Sequence, residues 1–190
     1  MIGALNALCW VKYGLIIGDT AVTFVNLVGA ILMSSYTACF YYYSARRLPV
    51  QKQIVGALSF YVTLNVYLDY VESDPLSGRN MLGVLASGIC IGFFASPLAT
   101  VMHVIRTRST NTLPFYMILA NFCLTAQWWV YGVILDDYFI KIPNLLGWCL
   151  SSIQLVLFFI YPSNSEDKMD VLQFNGARPK ERKKSIPLLP

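Results

Sequence analysis

Residues 10–43 read WVKYGLIIGDTAVTFVNLVGAILMSSYTACFYYY, and residues 128–161 read WWVYGVILDDYFIKIPNLLGWCLSSIQLVLFFIY. Superposed at an offset of 118, the two stretches agree at 12 of 34 ungapped positions. The shared residues are Trp10/Trp128, Tyr13/Tyr131, Gly14/Gly132, Ile16/Ile134, Asp19/Asp137, Asn26/Asn144, Leu27/Leu145, Gly29/Gly147, Leu32/Leu150, Ser34/Ser152, Phe40/Phe158 and Tyr43/Tyr161. Chance would supply roughly 2 to 3 matches in sequence this apolar, so the chain contains an internal repeat. Each copy is a pair of hydrophobic segments around a short turn, Gly18-Asp19-Thr20 or Asp136-Asp137-Tyr138, that must join antiparallel neighbours. Each also carries polar residues where hydrocarbon would penalise them. Duplicated units of this kind are a common plan of membrane transporters.

Outward from the repeat, six apolar stretches cover most of the chain: Met1–Ile17, Ala21–Tyr43, Ile54–Leu68, Met81–Val104, Leu113–Leu135 and Phe139–Tyr161. Four have 23 or 24 residues, enough to cross a hydrocarbon core about 30 Å thick at about 1.5 Å per residue. Ile54–Leu68 is short alone, but Tyr67, Tyr70 and Lys52 can reach the interfaces and extend it. A mean hydropathy of +0.56 with only 13% charged residues describes a membrane protein, since soluble domains carry about 25% charge. Met1–Ile17 has no basic leader and no small-residue cleavage site, so it does not read as a signal peptide.

Six spans set the loops with Arg46, Arg47, Lys52, Arg106 and Arg108, and the C-terminal tail, against Lys12, Arg79 and Lys141. The first group holds 11 of the 14 basic residues, and the positive-inside rule places it in the cytosol. Both termini are then cytosolic, and Asp19, Asp69, Glu72, Asp74, Asp136 and Asp137 lie on the outer or lumenal side. Residues 163–190 are polar, basic and without apolar period. They read as a disordered cytosolic tail whose Arg178–Lys184 cluster either touches anionic lipid or serves trafficking. The five cysteines fall one to a helix without paired spacing and read as small buried apolar residues. His103 alone cannot form a metal site, and it reads as interfacial. No phosphate-binding loop, nucleophile elbow or metal cluster is present, which disfavours an enzyme or an ATP-driven pump.

If Met81–Val104 leads the second copy, that copy has three helices, and Ile54–Leu68 is an unduplicated linker. A linker of one span restores parity, so that two three-helix units share one orientation. The expected plan is all-α and polytopic, three plus one plus three, with the leading helix of the first unit absent. The expected divisions are 1–44, an incomplete first repeat; 45–75, a linker with the inversion helix; 76–162, the second repeat; and 163–190, the tail.

In this frame the chain resembles the SWEET family (the MtN3/saliva sugar transporters, with PQ-loop relatives), and its animal branch most. The resemblance rests on Trp10-Val-Lys-Tyr-Gly14, Thr23-Phe-Val-Asn26-Leu-Val-Gly29, Ala95-Ser-Pro97-Leu98 and Arg106-Thr-Arg-Ser109-Thr110. It continues through Leu113-Pro114-Phe115, Gln127-Trp128-Trp-Val-Tyr131-Gly132 and Ile142-Pro143-Asn144, in order over residues 1–162. It implies two three-helix bundles around a sugar pocket, and facilitated, bidirectional transport of mono- or disaccharides by alternating access without ion coupling. Members of the family start with one further helix, and of their four cytosolic prolines only Pro97 and Pro114 stand in this chain. The sequence thus resembles a short or N-terminally truncated form.

Asn26 and Asn144 occupy equivalent depths in the two copies. An asparagine in hydrocarbon needs partners, and either an interhelical hydrogen bond or a bound polar substrate supplies them. Twice-repeated placement and the match to the family's pocket asparagines favour sugar, whose vicinal hydroxyls suit an amide's donor and acceptor. Trp128 and Asn144 lie roughly 10 and 8 Å from the outer helix ends and can share one pocket, with the indole against a sugar face. Trp129 reads as packing or anchoring. By resemblance Trp10 lies nearer an outer gate and faces Asp137, which serves either the gate or a helix cap. Pro97, mid-helix, must free a carbonyl and kink its helix, while Pro114 marks a helix start; by resemblance both hinge the inner gate. Gly88-x-x-x-Gly92 allows close packing, within the bundle or between protomers. The expected partners are a sugar and the bilayer, with a homo-oligomer or a full-length paralogue beside them, in the plasma membrane or Golgi. No nucleic acid, metal or cofactor is expected, and a non-transporting partner of full-length copies is the alternative role.

Overall fold

The structure is a computed structural model that describes residues 1–70 and 74–161. Seven helical segments follow one another: α1 (Ile2–Ile17), α2 (Thr20–Tyr43), α3 (Arg47–Tyr70), α4 (Pro75–Phe93), α5 (Ala95–Thr107), α6 (Phe115–Ile134) and α7 (Tyr138–Ile160). They form six rods, because α4 and α5 continue as one apolar stretch, Leu76–Thr107. Among the described residues there is no strand. The tail 163–190 lies outside them.

Four rods, α2, α4–α5, α6 and α7, are long and apolar enough by themselves to cross a membrane. The other two differ for separate reasons. α1 has only 16 residues, and α3 reaches 24 by taking in Arg47–Gln53, which the sequence reading leaves to a loop. Large apolar side chains such as Phe24, Ile31, Phe60, Met117 and Phe159 are exposed on the outside of the bundle. With lipid as the neighbour, that exposure costs nothing, and the molecule is an integral membrane protein.

The two acidic turns are built alike. Gly18 ends α1 at φ 70°, and its repeat mate Asp136 follows α6 at φ 50°. Aspartate is among the few residues that visit this left-handed region routinely. The next residue then closes each helix end, Asp19 N–H on the Gly14 carbonyl and Asp137 N–H on the Gly132 carbonyl, both at 2.9 Å. Gly14 and Gly132 also permit close helix approach. A Cβ there would stand 2.8 Å from the Thr23 backbone nitrogen or 2.7 Å from that of Lys141.

The rod α4–α5 breaks at Phe94, three residues before Pro97. Pro97 has no N–H for the carbonyl of Phe93; at the break Phe94 N–H donates to the Ile91 carbonyl at 3.0 Å, and the helix restarts with Leu98 N–H on the Phe94 carbonyl. Pro114 stands at the N-cap of α6, one position outside the helix. Pro143 sits inside the first turns of α7.

The packing pairs α1 with α2 and α6 with α7, and α4 lies against both α1 and α7. One core, with Cys9, Trp10, Tyr13, Val22, Leu82, Ala86 and Ile140, joins the two copies near the acidic turns. A second core, with Val101, Val104, Ile118, Leu150 and Leu157, belongs to the second copy alone, toward its basic end. The copies therefore meet at the acidic end. α3 leans on α1 and stands off α2, leaving an apolar cavity of about 370 Å³ between the three helices.

One sequence expectation needs correction. Cys39, Cys123 and Cys149 are exposed rather than buried, since an apolar thiol is as well placed against lipid as in a core; all five cysteines are free. His103 is exposed near the end of α5. Gly88 and Gly92 have no heavy atom within 4 Å of a built Cβ, so they mediate no close packing inside the bundle.

Candidate functional site

Between the two copies lies a cavity of about 300 Å³, walled by Trp10, Val22 and Asn26 from the first copy and by Trp128, Ile140 and Asn144 from the second. These are three pairs of repeat mates. The three residues read as substrate-binding, Asn26, Asn144 and Trp128, are thus brought together, and Trp10 joins them. Asn6, Leu124 and Cys90 also line the space.

The two asparagines are held identically. Asn26 Nδ2 donates to the Val22 carbonyl at 2.9 Å, and Asn144 Nδ2 donates to the Ile140 carbonyl at 2.7 Å. Each amide bonds back to its own helix rather than across to a neighbour, which fixes the rotamer and leaves the amide oxygen as the end available to the cavity. The tryptophans are also set alike. Trp10 meets Tyr13 edge-on at 5.3 Å between ring centroids, and Trp128 meets Tyr131 edge-on at 5.6 Å. Trp129 turns elsewhere and stacks on Trp148 at 5.3 Å, as a packing residue does.

One helical turn nearer the acidic end, the copies are tied together by a pair of crossed bonds. Tyr13 donates its hydroxyl to Asp137 Oδ2 at 2.6 Å, and Tyr131 donates to Asp19 Oδ2 at 2.7 Å. Tyrosine of each copy therefore holds aspartate of the other. In both carboxylates the second oxygen caps a helix. Asp19 Oδ1 accepts from Val22 N–H, and Asp137 Oδ1 accepts from Phe139 and Ile140 N–H. Asp137 thus caps its helix through one oxygen and holds the opposite copy through the other.

The two ties differ in burial and charge. Tyr13 is fully buried and Asp137 is 2% exposed. A carboxylate taken out of water needs a compensating charge, and Arg79 of α4 supplies it, with Nη2 2.9 Å from Asp137 Oδ2 and Nε 3.4 Å from the Tyr13 hydroxyl. Asp19 and Tyr131 are half-buried. Beyond the ties is a second cavity of about 420 Å³, walled by Asp19, Arg79, Asp137 and apolar neighbours. Two chambers thus stand on either side of a polar bolt. The hydrogen bonds between the copies, including Asn6 Nδ2 to Cys90 Sγ at 3.2 Å, lie at the bolt or just beneath it.

Trp10, read as facing Asp137, lines the inner chamber instead, and Tyr13 makes that contact. Sequence reasoning missed Tyr13, Tyr131, Arg79 and Asn6. The tyrosines were visible as repeat mates, but a tyrosine near a helix end reads first as an interfacial anchor. Arg79 was assigned only to a loop, and Asn6 has no mate to mark it. Pro97 and Pro114 stand away from both chambers, toward the basic end.

The comparisons agree with this architecture. The family described as "Sugar efflux transporter for intercellular exchange" matches residues 1–48 and 80–166. Sugar transporter SWEET1 of Drosophila pseudoobscura pseudoobscura is 32% identical over 164 residues, which cover 86% of this chain and 73% of the relative. Its counterpart in Danio rerio is 36% identical, covering 82% and 71%. Bidirectional sugar transporter SWEET2a of Oryza sativa subsp. indica is 36% identical, covering 88% and 71%. The 3.7 Å structure of a eukaryotic SWEET transporter superposes with a TM-score of 0.79 at 32% identity, over 86% of this chain and 78% of that one. The repeat, the paired chamber and these matches place the chain in the SWEET (MtN3/saliva) family.

Proposed function

We propose that the chain is a bidirectional facilitative sugar transporter for glucose-like substrates, and that the chamber walled by Asn26, Asn144, Trp10 and Trp128 is its sugar site. The observation that carries this reading is the pairing itself: two amides and two indoles, one of each from either copy, around about 300 Å³. That volume suits a small ligand, and the mixture suits an uncharged sugar, with amides for hydroxyls and indole faces for the C–H faces of the ring. Among the described residues no charged side chain lines the chamber.

Transport follows if the copies rock about the chamber. The bolt at the acidic end is made, so this conformation is closed there; breaking it while the basic ends approach would expose the chamber to the other side. The break at Phe94 and the helix start at Pro114 are where the second copy would bend, with Pro97 and Pro114 as the hinge. The charge distribution supports placing the acidic end outside or in a lumen and the basic end and C-terminus in the cytosol, in the plasma membrane or the Golgi. The test is saturable binding of tritiated glucose to the purified chain in lipid nanodiscs. Asn144→Ala is expected to lose binding at least tenfold while eluting as the same monodisperse species. Wild-type binding by that variant sinks the assignment of the chamber.

One observation favours association as well. Leu150 and Leu157 of α7 are buried against Val101 and Val104, whereas Leu32 and Cys39, their mates on α2, are exposed. A helix of the α4–α5 kind from a second copy or a full-length paralogue would cover that face of α2. Cross-linking of a cysteine placed at Leu32 to a co-expressed partner is expected on this second reading. A cysteine at Leu150 should give no cross-link.

A further inference from the structure

The apolar cavity between α1, α2 and α3 shares no wall residue with either chamber. Its wall runs from Met1 to Leu8 on α1, from Ser34 to Tyr41 on α2 and from Ile54 to Tyr61 on α3. Each stretch rises about 10 Å, so the cavity lies within one leaflet, at the basic end of the molecule. It is held from both sides. Toward the acidic end Lys12 Nζ of α1 meets Asp69 Oδ1 of α3 at 2.6 Å, and Leu64 and Leu68 are buried in the first core. At the basic end Gln51 Nε2 of α3 donates to the Tyr41 hydroxyl of α2 at 2.7 Å.

Between these ties the side chains are too small to meet. At an offset of 118, Ala4, Thr37 and Ala38 stand where the second copy has Phe122, Leu155 and Val156. The tyrosine and threonine hydroxyls of the wall are engaged within the protein. Tyr41 holds Gln51, Thr37 donates to the Met33 carbonyl at 2.8 Å, and Tyr61 reaches the Leu8 carbonyl at 3.5 Å. What is left for an occupant is mostly hydrocarbon. An apolar cavity stays dry, and an empty one of about 370 Å³ forfeits the contacts of its wall. Ala38 and Leu58 on the rim are exposed, so the cavity opens sideways toward lipid.

Charge selects among lipids. Arg47 lies on the cavity face of α3, one turn before Gln51 and two before Ile54, with its guanidinium 5.8 Å from the Tyr41 ring centroid. Arg46 and Lys52 stand beside it. All three are exposed, and among the described residues none has a carboxylate partner. A helix laid on Leu32 and Cys39 would not fill the cavity, because Ser34, Thr37, Ala38 and Tyr41 occupy the opposite face of α2.

We propose that this cavity binds an anionic glycerophospholipid of the leaflet at the basic end, with one acyl chain between α1, α2 and α3 and the phosphate at Arg46, Arg47 and Lys52. The bound chain supplies the packing that α2 and α3 lack between their two ties, and it makes α3 part of the first copy.

The test is native mass spectrometry of the full chain after incubation in micelles with equal amounts of dioleoylphosphatidylserine and dioleoylphosphatidylcholine. The unaltered chain should retain phosphatidylserine about threefold to tenfold over phosphatidylcholine. Ala38→Phe, which fills the cavity from its rim, should lose the retained lipid. The triple variant Arg46→Gln, Arg47→Gln, Lys52→Gln should retain either lipid equally. Full retention in Ala38→Phe, an unchanged preference in the triple variant, or a lipid-free dimer as the only species of the unaltered chain would each overturn the proposal. Should Ala38→Phe not fold, the unaltered chain decides in proteoliposomes. Phosphatidylserine with a diazirine in its acyl chain should label residues 34–41 several-fold more than their lipid-facing mates, 152–159, and equal labelling counts against the site.

Discussion

At the scale of single residues, the two aspartates show how one side chain supports both a helix start and the tie between the copies. Each uses one oxygen to start a helix and the other to hold the opposite copy, so neither can be replaced without touching both tasks. The tyrosines separate them. Tyr13→Phe keeps ring packing and cap and removes only the buried hydroxyl bond to Asp137. A hydrogen bond to a charged group contributes about 1.5–3 kcal/mol, so the closed state at the acidic end should lose roughly tenfold to hundredfold in relative population. A cysteine placed at Val22, just beneath the bolt, should label correspondingly faster from that side. Tyr131→Phe should give the smaller shift, because its pair is half-exposed and lacks an arginine. Equal labelling in all three proteins would mean that the crossed bonds do not hold the gate. At this scale the sequence was only partly legible. Duplication together with the family resemblance singled out Asn26, Asn144 and Trp128, which the structure brings to one chamber, but which of Trp10 and Tyr13 meets Asp137 depends on the helix azimuth.

At the scale of elements, the contacts at glycines distinguish packing from the mere pattern of small residues. Gly132→Ala would set a Cβ 2.7 Å from the Lys141 backbone nitrogen, and backbone cannot swing aside as a side chain can. The α6–α7 hairpin should spread at a cost of about 1–3 kcal/mol, read as a lower midpoint in thermal unfolding followed by size-exclusion chromatography. Gly88→Ala meets nothing and should leave that midpoint unchanged or slightly raised by better helix propensity. The Gly88/Gly92 spacing left packing within the bundle or between protomers open, and the first is absent among the described residues; the Gly14/Gly132 contacts were marked by the repeat but not by any spacing rule. Pro97→Ala restores the N–H that Phe93 lacks and should let α4 run straight into α5. Glucose binding should persist while counterflow falls at least tenfold, because a stiff rod cannot close the basic end. Unchanged counterflow would remove Pro97 from the hinge. The break itself could be foreseen from a mid-helix proline, but its place at Phe94 follows from the i−4 geometry rather than from the proline's own position.

At the scale of the whole molecule, two hairpins that agree at 12 of 34 positions have unequal surroundings. α7 is buried by α4, α5 and α6, whereas α2 has little beyond α1, so matching positions end in a core on one side and against lipid on the other. Periodicity cannot report that difference, since lipid and protein interior are equally apolar. The repeat, the linker and the membrane location were legible because they depend on apolar length and duplication alone. The bolt was not, because it requires knowing that the copies meet at their acidic ends. The central claim is that the paired chamber beneath the bolt carries sugar across the membrane. Uptake of radiolabelled glucose into proteoliposomes containing this chain alone, beside Asn144→Ala, tests it most directly. The expected result is saturable uptake by the unaltered chain, equal from either side, and its loss by at least tenfold in the variant. Uptake that persists in a correctly folded Asn144→Ala protein, or none from a folded and glucose-binding unaltered chain, would contradict it.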